Sequence, residues 1–217
     1  MTGKQDLARA IKGPSFVVGA WELVCRILDV ISMAGFSHHK IHRRLRWMPN
    51  WRIDDAPLVY LDLETTGLHP DRGHEITEIA ILDRGGIRLH SEIEGEAEER
   101  LALQEASSNI EGLIVVGHNI TFDLRFIAER SRRLDLAIPS VGFIDTLGLA
   151  RRYLEDLDEE LTLEFVARAL DLERPDELHR AVPDAQLARD VFESLVEREK
   201  LETLGDVRVR RFQLHGD

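Results

Sequence analysis

The sequence predicts an α/β protein built on a five-stranded mixed sheet, with a helical extension at its amino-terminal end. Two observations carry the prediction. Short apolar runs of strand length, beginning near residues 59, 75, 87, 113 and 141, alternate with segments of helical periodicity. Gly85-Gly86 places a tight reversal between the second and third runs, which makes them antiparallel neighbours. At 217 residues, with 43% hydrophobic and 31% charged side chains, the chain can bury one sizeable core, and wholesale disorder is excluded.

Charge divides the chain. Residues 1–55 hold nine Lys/Arg against five acids, a net of +4, so the total of −12 leaves −16 for residues 56–217. An acidic body argues against coating long duplex DNA through many phosphate contacts, but not against a small site that grips one strand end. Cys25 is the sole cysteine, which excludes an internal disulfide and a cysteine zinc site and fits a reducing cytoplasm.

The organisation therefore reads as an extension over 1–55, a body over 56–200 and a carboxy-terminal tail over 201–217. In the extension, Gly13-Pro14 breaks a short helix over residues 4–12, and Ser15 caps an amphipathic helix over 16–36. Glu22, Arg26 and Asp29 form its polar stripe, so a membrane span is not expected, and no cleavage pattern marks a signal peptide. The apolar face would pack on the body, on a second copy in a homodimer, on a membrane interface, or on a protein partner such as a polymerase. Residues 37–52 are basic and aromatic and free of acids. Their arginines and Trp47 and Trp51 suit phosphates and unpaired bases, or a linker tucked against the body.

In the run Val59-Tyr60-Leu61-Asp62-Leu63-Glu64, alternation sends Asp62 and Glu64 to one face and Leu61 and Leu63 to the other. Two carboxylates on one rigid strand repel, and a divalent cation would relieve them; oxygen ligands of this kind suit magnesium or manganese. Alone, the pair reads more readily as the polar face of a surface strand, so the remaining acids decide. Residues 75–82 and 87–93 form the next two strands, and 96–109 a polar helix. The apolar run 113–116 is a buried strand that leads through Gly117-His118-Asn119 into a helix ending near Arg133. Asp123 lies in the first turn of this helix, where the helix dipole favours an acid. A fifth strand over 141–145 precedes helices over 146–154 and 161–170. Pro183 opens a last helix that runs to Glu199, with His179 on the loop before it and Asp184 near its start. Five residues separate His179 and Asp184, about 140° around a helix, so a loop histidine leaning over the acid is expected.

Asp62, Glu64, Asp123, His179 and Asp184 together form a specific pattern. The stretches Leu61-Asp62-Leu63-Glu64-Thr65-Thr66-Gly67-Leu68, Gly117-His118-Asn119 with Phe122-Asp123, and His179-Arg180-Ala181 with Asp184-Ala185 resemble the DEDD superfamily of 3′→5′ exonucleases, on its histidine (DEDDh, DnaQ-like) branch. That group includes the proofreading subunit of bacterial replicative polymerase. The resemblance covers residues 58–198 and implies a ribonuclease-H-like sheet flanked by helices on both sides. It further implies that Asp62, Glu64, Asp123 and Asp184 hold two Mg²⁺ or Mn²⁺ ions and that His179 takes the proton from the attacking water. Thr65, Thr66 and Gly67 would approach the terminal nucleotide, and His118, Asn119 and Phe122 would line the same cleft. The implied activity is removal of nucleoside 5′-monophosphates from the 3′ end of single-stranded nucleic acid, with DNA repair or proofreading as the first reading. RNA trimming is the alternative within the fold, and a non-catalytic interaction module the alternative outside it. The chain departs from the family in two ways. Only about thirty residues separate Gly86 from Gly117, without the family's Gly-Ile-Thr-type stretch, so the terminal-base wedge is expected to be either reduced or supplied by another part, with Trp47 and Trp51 as candidates. The amino-terminal extension has no counterpart in the resemblance.

Overall fold

The computed structural model describes residues 49–137, 140–154, 160–173 and 179–212. The chain divides into two compact units, residues 1–44 and 45–217, and every described residue belongs to the second. The helix expected over 16–36, Trp47 and residues 155–159 of the acidic stretch 155–160 between two of the expected helices lie outside the described residues.

The sheet contains β1 (Leu58–Thr65), β2 (Ile76–Asp83), β3 (Gly86–Glu92), β4 (Ile114–Gly117), β5 (Val141–Asp145) and β6 (Arg210–Phe212). Its order is β3-β2-β1-β4-β5-β6. β1, β2 and β3 pair antiparallel, β4 and β5 run parallel to β1, and β6 returns antiparallel to β5. The helices are α1 (Glu96–Ile110), α2 (Thr121–Arg133), α3 (Thr146–Tyr153), α4 (Leu163–Ala169) and α5 (Ala181–Arg198).

Alternation along β1 decides which layer covers which face. Val59, Leu61 and Leu63 join the core under α1 and α2, with Leu103, Ala106, Leu124 and Ile127. Leu58 and Tyr60 face the other way and join α3, α4 and α5 through Ala150, Val166, Ala185 and Phe192. Asp62 and Glu64 therefore lie on the α5 side, at the end of β1 where α5 begins. A register shift between Glu64 and Thr65 bends this end of the strand. Gly117, closing β4, has no room for a side chain, because a Cβ there would lie 2.7 Å from the Leu61 carbonyl oxygen. This close approach brings the start of α2 against β1.

Three expectations are corrected. The sheet has six strands, the sixth drawn from the segment read as a carboxy-terminal tail. Phe212 packs against Phe143, and Arg210 lies over the same ring with its guanidinium 4.7 Å from the centroid. Pairing with β5, not local periodicity, makes this three-residue strand. The body also begins earlier than residue 56. Ile53 is buried in the core, its amide donates to the Glu202 carbonyl, and the Trp51 carbonyl accepts from Leu204. Trp51 packs on the core beyond the end of α5, whereas the acids gather at its start. An 18-residue helix is about 27 Å long, so Trp51 is no wedge for a nucleotide in that cleft. Among the described residues no helix is long and apolar enough to cross a membrane.

Candidate active site

Three elements deliver the acids. β1 presents Asp62 and Glu64, and the first turn of α5 presents Asp184; each can offer an oxygen within 4.8 Å of the others. Asp123 joins from the first turn of α2. It is buried, and its Oδ1 accepts the Leu63 amide at 3.1 Å. Asp123 thus stands behind β1, against the residue between the two β1 acids.

Electrostatics tie the four together. Burial raises the Asp62 carboxyl well above its ordinary range, and Asp123, Asp184 and Glu64 raise it further by repulsion. Asp123 is raised chiefly by burial, against the pull of two backbone amides, its own and that of Leu63. Glu64 and Asp184 are raised by burial and by neighbouring acids. Such a set is unfavourable when ionised without a counter-charge, and its donors are all hard carboxylate oxygens. Magnesium or manganese fits that donor set.

His179 is exposed on the loop before α5, with its backbone in the left-handed region at φ 61. Its amide donates to the Asp184 carboxylate, and its charge lowers the pKa of both Glu64 and Asp184. The histidine therefore stands beside the two outer acids.

The other expected residues divide. Thr65 and Thr66 shape the turn after β1: the Thr65 hydroxyl donates to the Gly67 carbonyl at 2.9 Å, and Thr66 Oγ1 accepts the Glu75 amide at 2.9 Å. Gly67 lies under the His74 ring, where a Cβ would come within 2.5 Å. His118 is turned into the structure. Its Nε2 meets the Leu161 carbonyl at 2.8 Å and its Nδ1 meets Thr146 Oγ1 at 3.0 Å, so it ties the end of β4 to α3 and to the approach to α4. Burial lowers its pKa, which keeps the ring neutral. Asn119, exposed at φ 55, donates its amide to Asp145 Oδ1 at 3.0 Å. Phe122 is half-buried against Phe126, with ring centroids 4.9 Å apart.

Sequence reasoning missed Glu78. This buried residue of β2 pairs across from Glu64, and its carboxylate meets His90 Nε2 at 2.8 Å and Arg180 Nε at 3.1 Å. Its place on β2 resembles any polar alternate, and the one available signal was that it shares a face with Ala80 and Leu82, which point to the core.

A mixed sheet of this order, layered by helices on both faces and carrying acids at the meeting of β1, α2 and α5, is a ribonuclease-H-like arrangement. Residues 85–192 match the RNase T exonuclease family. The match begins after β1, so Asp62 and Glu64 lie outside it. Over 174 residues, 67% of this chain, it is 35% identical to the PolC-type DNA polymerase III of Thermotoga maritima, of which it covers 12%. It is 26% identical over 173 residues, 64% of this chain, to the 3′-5′ exonuclease DinG of Bacillus subtilis, of which it covers 18%. The chain thus spans less than a fifth of the length of either relative. The solved structure of Exonuclease X in complex with 5′ overhanging duplex DNA shares the fold: the TM-score is 0.50 at 18% identity, covering 70% of this chain and 98% of that one.

Proposed function

We propose that this chain is a metal-dependent 3′→5′ exonuclease that releases nucleoside 5′-monophosphates from single-stranded ends, with DNA as its substrate. The observation that carries the reading is the convergence of Asp62, Glu64 and Asp184 oxygens within 4.8 Å of one another, with Asp123 held behind them by the Leu63 amide. Asp62, Glu64, Asp123 and Asp184 would hold two Mg²⁺ or Mn²⁺ ions. Bound there, the ions supply the Lewis acidity that eases ionisation of water and stabilises charge on the scissile phosphate. His179, exposed beside Glu64 and Asp184, accepts the proton of the attacking water, a task suited to an imidazole within reach of the acid cluster. The turn carrying Thr65, Thr66 and Gly67 leads straight out of β1 and borders the position of the terminal nucleotide. DNA is favoured because a polymerase of DNA stands among the relatives. A single cysteine suits a reducing cytoplasm.

The test uses 5′-labelled single-stranded DNA and RNA of matched sequence, each with Mg²⁺, with Mn²⁺ and with EDTA. The expected result is a metal-dependent ladder shortening from the 3′ end, faster on DNA. Faster shortening of RNA would overturn the substrate assignment, and no cleavage with either metal would overturn the enzymatic reading.

A further inference from the structure

We propose that Arg180 is the positioning residue for His179, and that it acts by bridging two glutamates of the β2–β3 hairpin. The proposal rests on the reading of His179 as the base.

The loop before α5 has an unusual backbone. His179, a non-glycine residue, sits at φ 61, a conformation that persists where its surroundings over-determine it. Arg180 follows in extended conformation at the N-cap of α5, and its side chain makes no cap hydrogen bond. It reaches across to the sheet instead. Arg180 Nε donates to Glu78 Oε2 at 3.1 Å, and Nη2 donates to Glu92 Oε1 at 2.6 Å. Its carbonyl meanwhile accepts the Asp184 amide at 3.1 Å. One residue thus ties the hairpin, the start of α5 and the backbone beside His179.

The hairpin is built to need that cation. Glu64 pairs opposite Glu78 across β1 and β2, and Glu78 opposite Glu92 across β2 and β3, so three glutamates form one row over three strands. Like charges directly opposite one another are destabilising. Glu78, the middle one, is 5% exposed, and His90 holds its other oxygen at 2.8 Å. With both oxygens engaged, Glu78 is held beside the cluster formed by Asp62, Glu64 and Asp184, and its charge raises the pKa of all three. It is also fixed from two sides, which makes it a rigid anchor for the Arg180 fork. The planar guanidinium spans two carboxylates, a geometry a lysine ammonium cannot reproduce.

A staple that merely held the fold together would affect stability, not the action of His179. The two are separated by a cycle of variants: wild type, His179→Ala, Arg180→Ala and the double variant, each assayed for kcat and KM on 5′-labelled single-stranded DNA with Mg²⁺, with thermal unfolding alongside. Arg180→Ala is expected to lower kcat about 10–100-fold, the usual effect of losing a residue that orients an active-site group, with KM little changed. The double variant is expected to be no slower than His179→Ala alone, because positioning has no value once the imidazole is gone. An unchanged kcat in Arg180→Ala, or a loss that multiplies onto that of His179→Ala, would overturn the proposal. Should Arg180→Ala fail to fold, Glu92→Ala, on an exposed position, and Arg180→Lys decide it: each should lower kcat several-fold, and full kcat in both overturns the proposal. If wild type shows no metal-dependent shortening, or His179→Ala keeps full rate, the reading of the site falls and this proposal with it. A slow His179→Ala beside a fast Arg180→Ala removes this proposal alone.

Discussion

The Leu63 amide donates to Asp123 Oδ1 at 3.1 Å, so the residue between the two β1 acids is hydrogen-bonded to the acid of α2. Strand and helix are joined at the point where charge converges, and the bond separates two roles of one carboxylate. Asp123→Asn keeps an oxygen that can accept the Leu63 amide but removes the negative charge. It should abolish metal-dependent cleavage and leave thermal stability in the absence of metal equal or higher, because repulsion with Asp62 is relieved. Asp123→Ala should lose activity and also about 1–3 kcal/mol of stability, since a buried amide is left without its acceptor. Urea unfolding and cleavage assays of both variants check this. Cleavage by Asp123→Asn at the wild-type rate would remove Asp123 from the site.

Stability and metal should be linked through pH. In the folded protein without metal, Asp62, Asp123 and Asp184 are raised above the ordinary 3.8 and Glu64 above 4.5. Between the ordinary and the raised values the folded state binds more protons than the unfolded chain. The contribution of the cluster to stability therefore falls as pH rises through that window and is least favourable above it. In EDTA, the Tm of wild type relative to Asp62→Asn should rise as pH is lowered from 7 towards 5. At pH 7, Mg²⁺ at 100 times its Kd should stabilise the wild type by about 2.7 kcal/mol, and this gain should shrink on acidification. A wild-type Tm indifferent to Mg²⁺ and Mn²⁺ at pH 7 would count against the cluster as a cation site.

Away from the site, Arg130 of α2 grips Glu99 of α1 with two hydrogen bonds of 2.6 Å, and both residues are buried. Removing Glu99 takes away both short bonds and leaves Arg130 with the longer contact to Glu75, at 3.4 Å, so much of a buried charge loses its compensation. Glu99→Ala should cost about 3–5 kcal/mol, as for a broken buried pair, read from urea unfolding. A change below about 1 kcal/mol would place the pair among exposed bridges in energetic terms.

Gly117 offers a test of how tightly β4 and β1 approach. A Cβ there would meet the Leu61 carbonyl oxygen at 2.7 Å and Ile120 Cδ1 at 2.6 Å. The first contact is with backbone and cannot rotate away. Gly117→Ala should therefore destabilise by about 1–3 kcal/mol through overpacking and lower activity as well, because Leu61 adjoins Asp62. Wild-type stability and rate together would show that the strands can part without disturbing the site.

Much of the architecture was legible because its determinants are local. The strand expected over 75–82 is Ile76–Asp83, and the helix expected over 96–109 is Glu96–Ile110, since alternation and helical periodicity are written within each segment. β6 was not legible. Arg210–Phe212 has no pattern of its own and becomes a strand through pairing with β5 and through Phe143, a contact that local sequence does not encode. His118, expected in the cleft, spends both ring nitrogens on Thr146 and Leu161, 28 and 43 residues away.

By itself the sequence determined the alternating α/β order, the facing of Asp62 and Glu64 along β1, and the places of Asp123 and Asp184 in first helical turns; each follows from spacing along a few residues. Only the tertiary structure decided which acids meet, which threonines serve a turn, and that Glu78 and Arg180 join across 102 residues. The physical reason is that periodicity specifies which way a side chain points, whereas its partner depends on how strands are ordered and helices laid across them, and that is set by burial over the whole core.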